Sequence, residues 1–214
     1  DVVCSVGAIE VAKTVIGVVN KNVPFTYGDA VVPLSSFTCF VRNDSALIET
    51  PSFEPTPIQV QIGQQCAALI EDGSCLQIGV GGLTNALAVQ LKDHKNLGLH
   101  TETFSDGVLE LIKSGVINGQ NKVIDKGKVV ASFLLGSKAV FDFGDHNPSV
   151  MMMDVGYTND PYIISRNPKV ASVNSATQID LTGQVCADSV GQRIVSGTGG
   201  QLEYVRGAAM SKGG

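Results

Sequence analysis

The chain has 214 residues, 43% of them hydrophobic and 16% charged, with a formal net charge of −5. That is ample material for a buried core and too little charge for a disordered segment. The acidic balance and the lack of any Lys/Arg block argue against nucleic acid or a membrane surface as partner, and no apolar run reaches the ~18 residues of a spanning helix.

Five cysteines (Cys4, Cys39, Cys66, Cys75 and Cys186) are scattered, with no C-x-x-C pair. This suits free thiols in a reducing compartment, the cytoplasm or a mitochondrial matrix, better than a disulfide framework or a zinc site. The chain opens on Asp1 without an initiating Met or a signal-peptide pattern and closes on Ser211-Lys-Gly-Gly, so a fragment of a longer protein is expected.

Residues 5–20 read as the end of a helix running into a buried strand at 14–19. Residues 20–29 carry Pro24 and Gly28 and read as a loop; 30–34 and 37–41 are short β-like runs with no obvious partner. Thr50-Pro-Ser-Phe-Glu-Pro-Thr-Pro57 holds three prolines besides its polar residues, a composition that resists regular structure. We therefore expect 1–50 to be the C-terminal part of a first α/β domain, 51–56 a linker, and 57–214 a second α/β domain. The helix after the linker has Thr56 as N-cap, Pro57 at its first position and Gln59 to complete a capping box. Ile58, Ile62, Cys66, Leu69 and Ile70 fall on one face at helical spacing.

From there strands and helices alternate: strands at 75–80, 97–101, 129–135 and 150–155, helices at 83–91, 107–113 and 137–143, and a helical turn at 160–165. An extended stretch at 170–181 and a helix at 201–210 follow. The alternation predicts an α/β fold with a mainly parallel sheet and helices on both faces.

Two stretches carry the chemistry. Leu76-Gln-Ile-Gly-Val-Gly-Gly-Leu-Thr-Asn85 is an apolar strand entering a glycine turn before a helix. Leu97-Gly-Leu-His-Thr-Glu-Thr-Phe-Ser-Asp-Gly107 is a strand ending at Glu102. In an open α/β sheet ligands gather beyond the carboxyl ends of the strands, so the two turns should face one crevice if their strands are parallel neighbours. Gly79-Val-Gly-Gly82 lacks the third glycine of a dinucleotide fingerprint, having Thr84 there. It serves equally as a tight turn or as a set of free N–H groups that stabilise an oxyanion or phosphate. Glu102 is either a solvated acid or a covalent nucleophile, a role that partial desolvation beside a polarised carbonyl favours. His94, His100 and His146 show no metal spacing. His100 alternates with Glu102 along its strand and reads as a core histidine sharing its side. Lys122, Lys126 and Lys128 read as a solvated turn, and Asn174 as a turn residue or a carbonyl-binding amide.

Residues 76–83, 97–107, Tyr157-Thr-Asn-Asp-Pro-Tyr162, 174–185 and 197–208, taken in order, resemble the acetyl-CoA hydrolase/transferase family, and within it the 4-hydroxybutyrate CoA-transferase branch. The resemblance runs from about Ala12 to the end. It implies two similar α/β domains with the active site between them, and a chain lacking the start of the first and the tail of the second. It implies ping-pong transfer of CoA between an acyl-CoA and a small carboxylic acid, CoA being a substrate and no cofactor or metal being required. Glu102 matches the family's catalytic glutamate, which becomes an acyl anhydride and then a glutamyl-CoA thioester. Gly79, Val80, Gly81, Gly82 and Leu83 match the glycine turn that holds the thioester and CoA, and Gly199 and Gly200 the second glycine loop. Asn174 falls at an oxyanion-side amide. A homo-oligomer is compatible with this reading. Leu83-Thr84, Thr103 and Ala187-Asp188 depart from the family's usual Ile-Pro, Met and Ser-Glu, which bears on pocket shape. A hydrolase would use the same Glu102, and a CoA- or nucleotide-binding fragment without catalysis is the reading from another class.

Overall fold

The alternating runs become an α/β structure in a computed structural model that describes residues 2–50 and 54–214. Asp1 and the linker residues Pro51, Ser52 and Phe53 lie outside the described residues. The strands are β1 (Ile16–Val19), β2 (Tyr27–Gly28), β3 (Cys39–Arg42), β4 (Cys75–Ile78), β5 (Gly98–His100), β6 (Thr103–Phe104), β7 (Val129–Ala131), β8 (Phe133–Leu134), β9 (Val150–Met152) and β10 (Val170–Val173). Four short strands, β11 (Gln178–Ile179), β12 (Val185–Cys186), β13 (Ser189–Val190) and β14 (Arg193–Ile194), form two antiparallel pairs. The helices are α1 (Ser5–Val11), α2 (Pro57–Ala67), α3 (Gly82–Gln90), α4 (Asp106–Lys113), α5 (Lys138–Gly144), α6 (Val155–Thr158), α7 (Pro161–Ile164) and α8 (Gln201–Met210).

The main sheet has the order β10-β4-β5-β7-β9-β2, and every pairing in it is parallel. Successive strand residues face opposite sides. Leu76 and Ile78 of β4 accordingly join Leu87, Leu91 and Leu109 of the α3–α4 side, while Cys75 packs with Ile164, Val170 and Tyr204 of the α7–α8 side. Both faces are thus covered, as a parallel sheet requires. Each fully buried Leu in the larger cluster contributes ~1.5–3 kcal/mol.

The first fifty residues differ from expectation in detail. β1 pairs with β3 in a separate parallel two-stranded sheet, and only its Gly17 is buried, so the strand at 14–19 is not a core strand here. Tyr27–Gly28, read as loop, instead pairs with β9 and extends the main sheet. The run at 30–34 is not a strand; Leu34–Ser36 makes a single 3-10 turn. Two residues of ladder need only free backbone groups and an adjacent edge, which no side-chain pattern records.

The α2 capping box forms as expected, Gln59 N–H donating to Thr56 Oγ1 and Thr56 N–H to Gln59 Oε1. Its apolar stripe faces the core only at its C-terminal end, where Ile70 is buried and Cys66 packs against the main cluster; Ile58 is 70% and Leu69 85% exposed, whereas Gly63 and Ala67 are buried. Packing of α2 on α3 is set by close backbone approach, a Cβ on Gly63 falling 2.9 Å from the Ala86 carbonyl carbon. Lys122 also departs from expectation. It is 3% exposed, and its Nζ donates to the carbonyls of Leu99 (3.1 Å) and Lys128 (3.0 Å), while burial pushes its pKa down.

Gly63→Ala tests this packing. Overpacking against main chain costs ~1–3 kcal/mol and alanine returns ~1 kcal/mol of helix propensity, so the urea midpoint should fall by the equivalent of up to ~2 kcal/mol. A raised midpoint, the result for an unpacked helix, would overturn it.

Candidate active site

β4 and β5 are parallel neighbours, with Leu76 opposite Leu99, so the turn after one and the chain after the other emerge side by side. Thr101 Oγ1 donates to the Ile78 carbonyl at 3.1 Å and ties the two ends together. The chain steps outward through β5, β7 and β9, then returns to place β10 on the other flank of β4. The strand order reverses there, which is where α/β sheets open a crevice.

Glu102 occupies a break in the sheet. β5 and β7 pair Leu99 with Val129, and β6 and β8 pair Thr103 with Phe133, in the same register. Between them the Glu102 carbonyl accepts N–H bonds from both Ser132 (2.8 Å) and Phe133 (3.0 Å). The side chain is half-buried, and its Oε1 accepts a 2.7 Å hydrogen bond from Asn159 Nδ2. Gly200, the N-cap of α8, presses directly on this pair: a Cβ there would fall 2.7 Å from Glu102 Oε1 and collide with Asn159 Nδ2. Tyr204, on the first turn of the same helix, is fully buried. Burial, and after it the charge of Glu102, pushes the Tyr204 hydroxyl pKa well up.

A cavity of about 250 Å3 opens over the carboxylate, and Gly79, Val80, Glu102, Asn174, Gly199 and Gly200 line it. Six of the nine residues singled out in the sequence therefore meet at one place. Gly81 and Gly82 line an adjoining cavity of about 180 Å3, which Val80 shares; Leu83 lines neither. Gly81 has φ +114°, a conformation open in practice only to glycine, so the turn depends on its lack of a side chain.

Asn174 is placed at the cavity but is already engaged. Its Nδ2 donates to Gln77 Oε1 (2.9 Å) and Ser172 Oγ (2.9 Å), and its Oδ1 accepts from Gln77 Nε2 (3.1 Å). Both its N–H bonds are used, so an oxyanion there would require this amide pair to part. Asp106 holds Ser137 through N–H (3.0 Å) and hydroxyl (2.5 Å) bonds at the start of α5 and serves structure.

His100 is 2% exposed, and its Nε2 donates to the Thr158 carbonyl at 2.9 Å. His100 and Glu102 thus both reach residues 158–159, the shared side expected from their spacing. Sequence reasoning missed Asn159, Thr158 and Ser132. Asn159 lies in the 157–162 stretch, but nothing in one sequence links it to an acid 57 positions away. Among the described residues no group of three or more His, Cys, Asp or Glu side chains converges to hold a metal, and no helix is long and apolar enough to cross a membrane.

Burial, reinforced by the Lys122 charge, pushes the His100 pKa from 6.5 down to about 4. The unfolded chain takes this proton near pH 6.5 and the folded one near 4, so stability is complete above 6.5 and declines as pH falls to 4, by on the order of 3 kcal/mol. Melting temperatures should trace that slope. His100→Gln, which keeps an N–H for the Thr158 carbonyl but cannot titrate, should flatten it; an unchanged slope would place the proton elsewhere.

Residues 136–214 match the family model described as the acetyl-CoA hydrolase/transferase C-terminal domain. The chain is 45% identical to the 4-hydroxybutyrate coenzyme A transferase of Clostridium kluyveri, over 97% of this chain and 48% of that protein. It is 44% identical to a succinyl-CoA:acetate/propanoyl-CoA:succinate CoA transferase of Fasciola hepatica, over 95% of this chain and 43% of that one. The crystal structure of a 4-hydroxybutyrate CoA-transferase from Porphyromonas gingivalis superposes with a TM-score of 0.90 at 37% identity, covering all of this chain and 51% of that one. The chain spans about half the length of the curated relatives it matches. It belongs to the acetyl-CoA hydrolase/transferase family.

Proposed function

We propose that the protein is a CoA-transferase that moves CoA between an acyl-CoA and a small carboxylic acid, of the 4-hydroxybutyrate/acetate type, with Glu102 as covalent nucleophile. The observation that carries this reading is the half-buried Glu102 carboxylate, fixed at 2.7 Å by Asn159 in a cavity walled by Gly79, Gly199 and Gly200. A glycine-lined approach admits a bulky thioester to a carboxylate that a side chain would shield.

A Glu102 oxygen attacks the thioester carbonyl and expels CoA thiolate, leaving an acyl-glutamyl anhydride. The thiolate attacks the glutamyl carbonyl and expels the first acid as its carboxylate, leaving a glutamyl-CoA thioester. A second carboxylate attacks that thioester and expels the thiolate, which then takes the new acyl group and frees Glu102. No proton is gained or lost overall, and one thioester replaces another, so the exchange is close to thermoneutral and CoA enters as a substrate rather than a cofactor. The protein's task is to stabilise tetrahedral oxyanions, each well-placed donor lowering the barrier by ~3–4 kcal/mol, and to keep water from the anhydride. With this reading go the expected division into domains at 51–56, a cytoplasmic setting and the possibility of a homo-oligomer.

Intact-mass measurement of the full-length protein after incubation with an acyl-CoA should find a CoA-sized adduct that Glu102→Gln abolishes. Wild type without adduct overturns the mechanism. Free CoA released at the same rate with and without added acetate would make the enzyme a hydrolase instead. Gly200→Ala, which forces the Glu102–Asn159 pair apart, should cut kcat about 10²-fold, the effect of misplacing a reacting group by about 1 Å. Wild-type turnover in that variant would mean the carboxylate does not act from this position.

A further inference from the structure

Just ahead of the linker the chain is tied to the start of α5. Thr50 N–H donates to the Gly136 carbonyl at 3.0 Å, and Glu49 Oε2 accepts the Lys138 N–H at 2.8 Å. Ser137, between them, is held from the other side by Asp106, which accepts its N–H and its hydroxyl. Carboxylates from two distant segments thus take N–H groups that have no partner inside the helix, where negative charge is favoured. Gly136 has no room for a side chain: a Cβ would fall 2.6 Å from Asp106 Oδ2 and 2.8 Å from Val140 Cγ2. Thr50 and Gly136 both line the cavity of about 180 Å3 at the Gly81–Gly82 turn, which meets the cavity over Glu102 at Val80. The tie therefore makes the residue before the linker one wall of a cavity beside the nucleophile.

The lining says which part of an acyl-CoA suits it. No Lys or Arg lines the cavity, whereas the Asp106 carboxylate does, so it favours a neutral group over a phosphate. The hydroxyls of Thr50 and Ser105 have no hydrogen-bond partner among the described residues. A purely apolar acyl chain would bury them unpaired, a cost that a chain bearing amides avoids. On the sulfur side of an acyl-CoA thioester lies a neutral arm with two amides, and the phosphates come only beyond it. Resting on the reading of Glu102 as the nucleophile of a CoA-transferase, we propose that Glu49 is a positioning residue for binding that arm. Glu49 touches no substrate. By holding Lys138 N–H it fixes the chain ahead of the linker, keeps Thr50 on Gly136 and so closes the cavity around the arm. Wall and nucleophile share one foundation, since Asp106 steadies residues 136–138 and begins α4 just after the strand that carries Glu102.

The test is made in the full-length protein, with calorimetric binding of CoA and the rate of Glu102–CoA adduct formation from acetyl-CoA. Glu49→Ala, and Thr50→Pro, which removes the N–H given to Gly136, should each weaken CoA binding about three- to tenfold, the effect of losing an ordinary hydrogen bond. Glu49→Gln keeps an oxygen for the Lys138 N–H and should bind within about twofold of wild type. At saturating acetyl-CoA both Glu49 variants should form adduct within about twofold of the wild-type rate, the pattern of lost binding without lost chemistry. Acetyl-pantetheine keeps the arm and lacks the nucleotide, so Glu49→Ala should raise its half-saturating concentration by the same factor as for acetyl-CoA. CoA affinity unchanged in Glu49→Ala and Thr50→Pro overturns the inference, as does a maximal rate that falls while affinity holds. An effect on acetyl-CoA that vanishes with acetyl-pantetheine also overturns it, because the wall would then not meet the arm. Wild type that binds CoA but forms no adduct sinks the reading of Glu102, while the affinities of the variants decide on the wall separately.

Discussion

The site depends on a paired interruption of two central parallel strands. In a regular parallel ladder the carbonyl of Glu102 would take one N–H; here it takes those of Ser132 and Phe133, and the ladder resumes beyond it without loss of register. This is not a bulge, since neither strand gains a residue on the other. It turns one side chain out of the sheet while its backbone stays bolted to the core. His100, two residues earlier, remains inside and is kept neutral by burial; Glu102 reaches the mouth of the crevice. A carboxylate carried by a loop would occupy the same mouth with far less precision.

What surrounds that carboxylate is neutral. Its hydrogen-bond partner is an amide, its near wall is glycine main chain, and the buried Tyr204 lies on the adjoining helical turn. Lys122, the lysine buried in the core, spends two of its N–H bonds on backbone carbonyls. An arginine or lysine clamped on Glu102 would stabilise the charge before reaction as much as during it and so would not accelerate attack. A neutral donor holds geometry with less stabilisation of the ground state.

Much of this was legible in the sequence because it rests on local rules. The βαβ alternation, the capping box at Thr56 and Gln59, the helix at 201–210 and the glycine turn each announce themselves within a dozen residues. Strand adjacency then brings Gly79, Glu102, Asn174 and Gly200 together. What stayed hidden was non-local. The α2 stripe of Ile58, Ile62 and Leu69 has helical spacing, yet the buried side is chosen by Gly63 meeting the backbone of α3. Lys122 looks like a turn lysine because the strand that buries it, whose Leu99 carbonyl it holds, lies 23 residues away. Asn174 has the residue type of an oxyanion donor, but Gln77 and Ser172 have claimed its hydrogens. Asn159 carries no motif of its own and meets Glu102 only because α6 ends beside the strand break.

The neutral surroundings also locate selectivity. Under the proposed exchange, each thioester and each acid passes through the same glutamyl intermediate, so contacts at Glu102 and Asn159 are common to every substrate and discriminate among none. Discrimination must come from the walls. Two of the departures from the family pattern, Thr103 and Ala187, line the cavity with Glu102, whereas Leu83 and Asp188 do not. Where Ser is usual, Ala187 offers a methyl and no hydroxyl, which removes a donor and an acceptor from the cavity wall. A wall so altered rejects little by shape, since one methylene more or less changes binding by only ~1–3 kcal/mol, but it withholds the hydrogen bond by which a hydroxylated acid would be told from its unsubstituted counterpart. On that proposal the reacting centre is common to every exchange, and the choice of acid falls to wall side chains such as Thr103 and Ala187 that take no part in it.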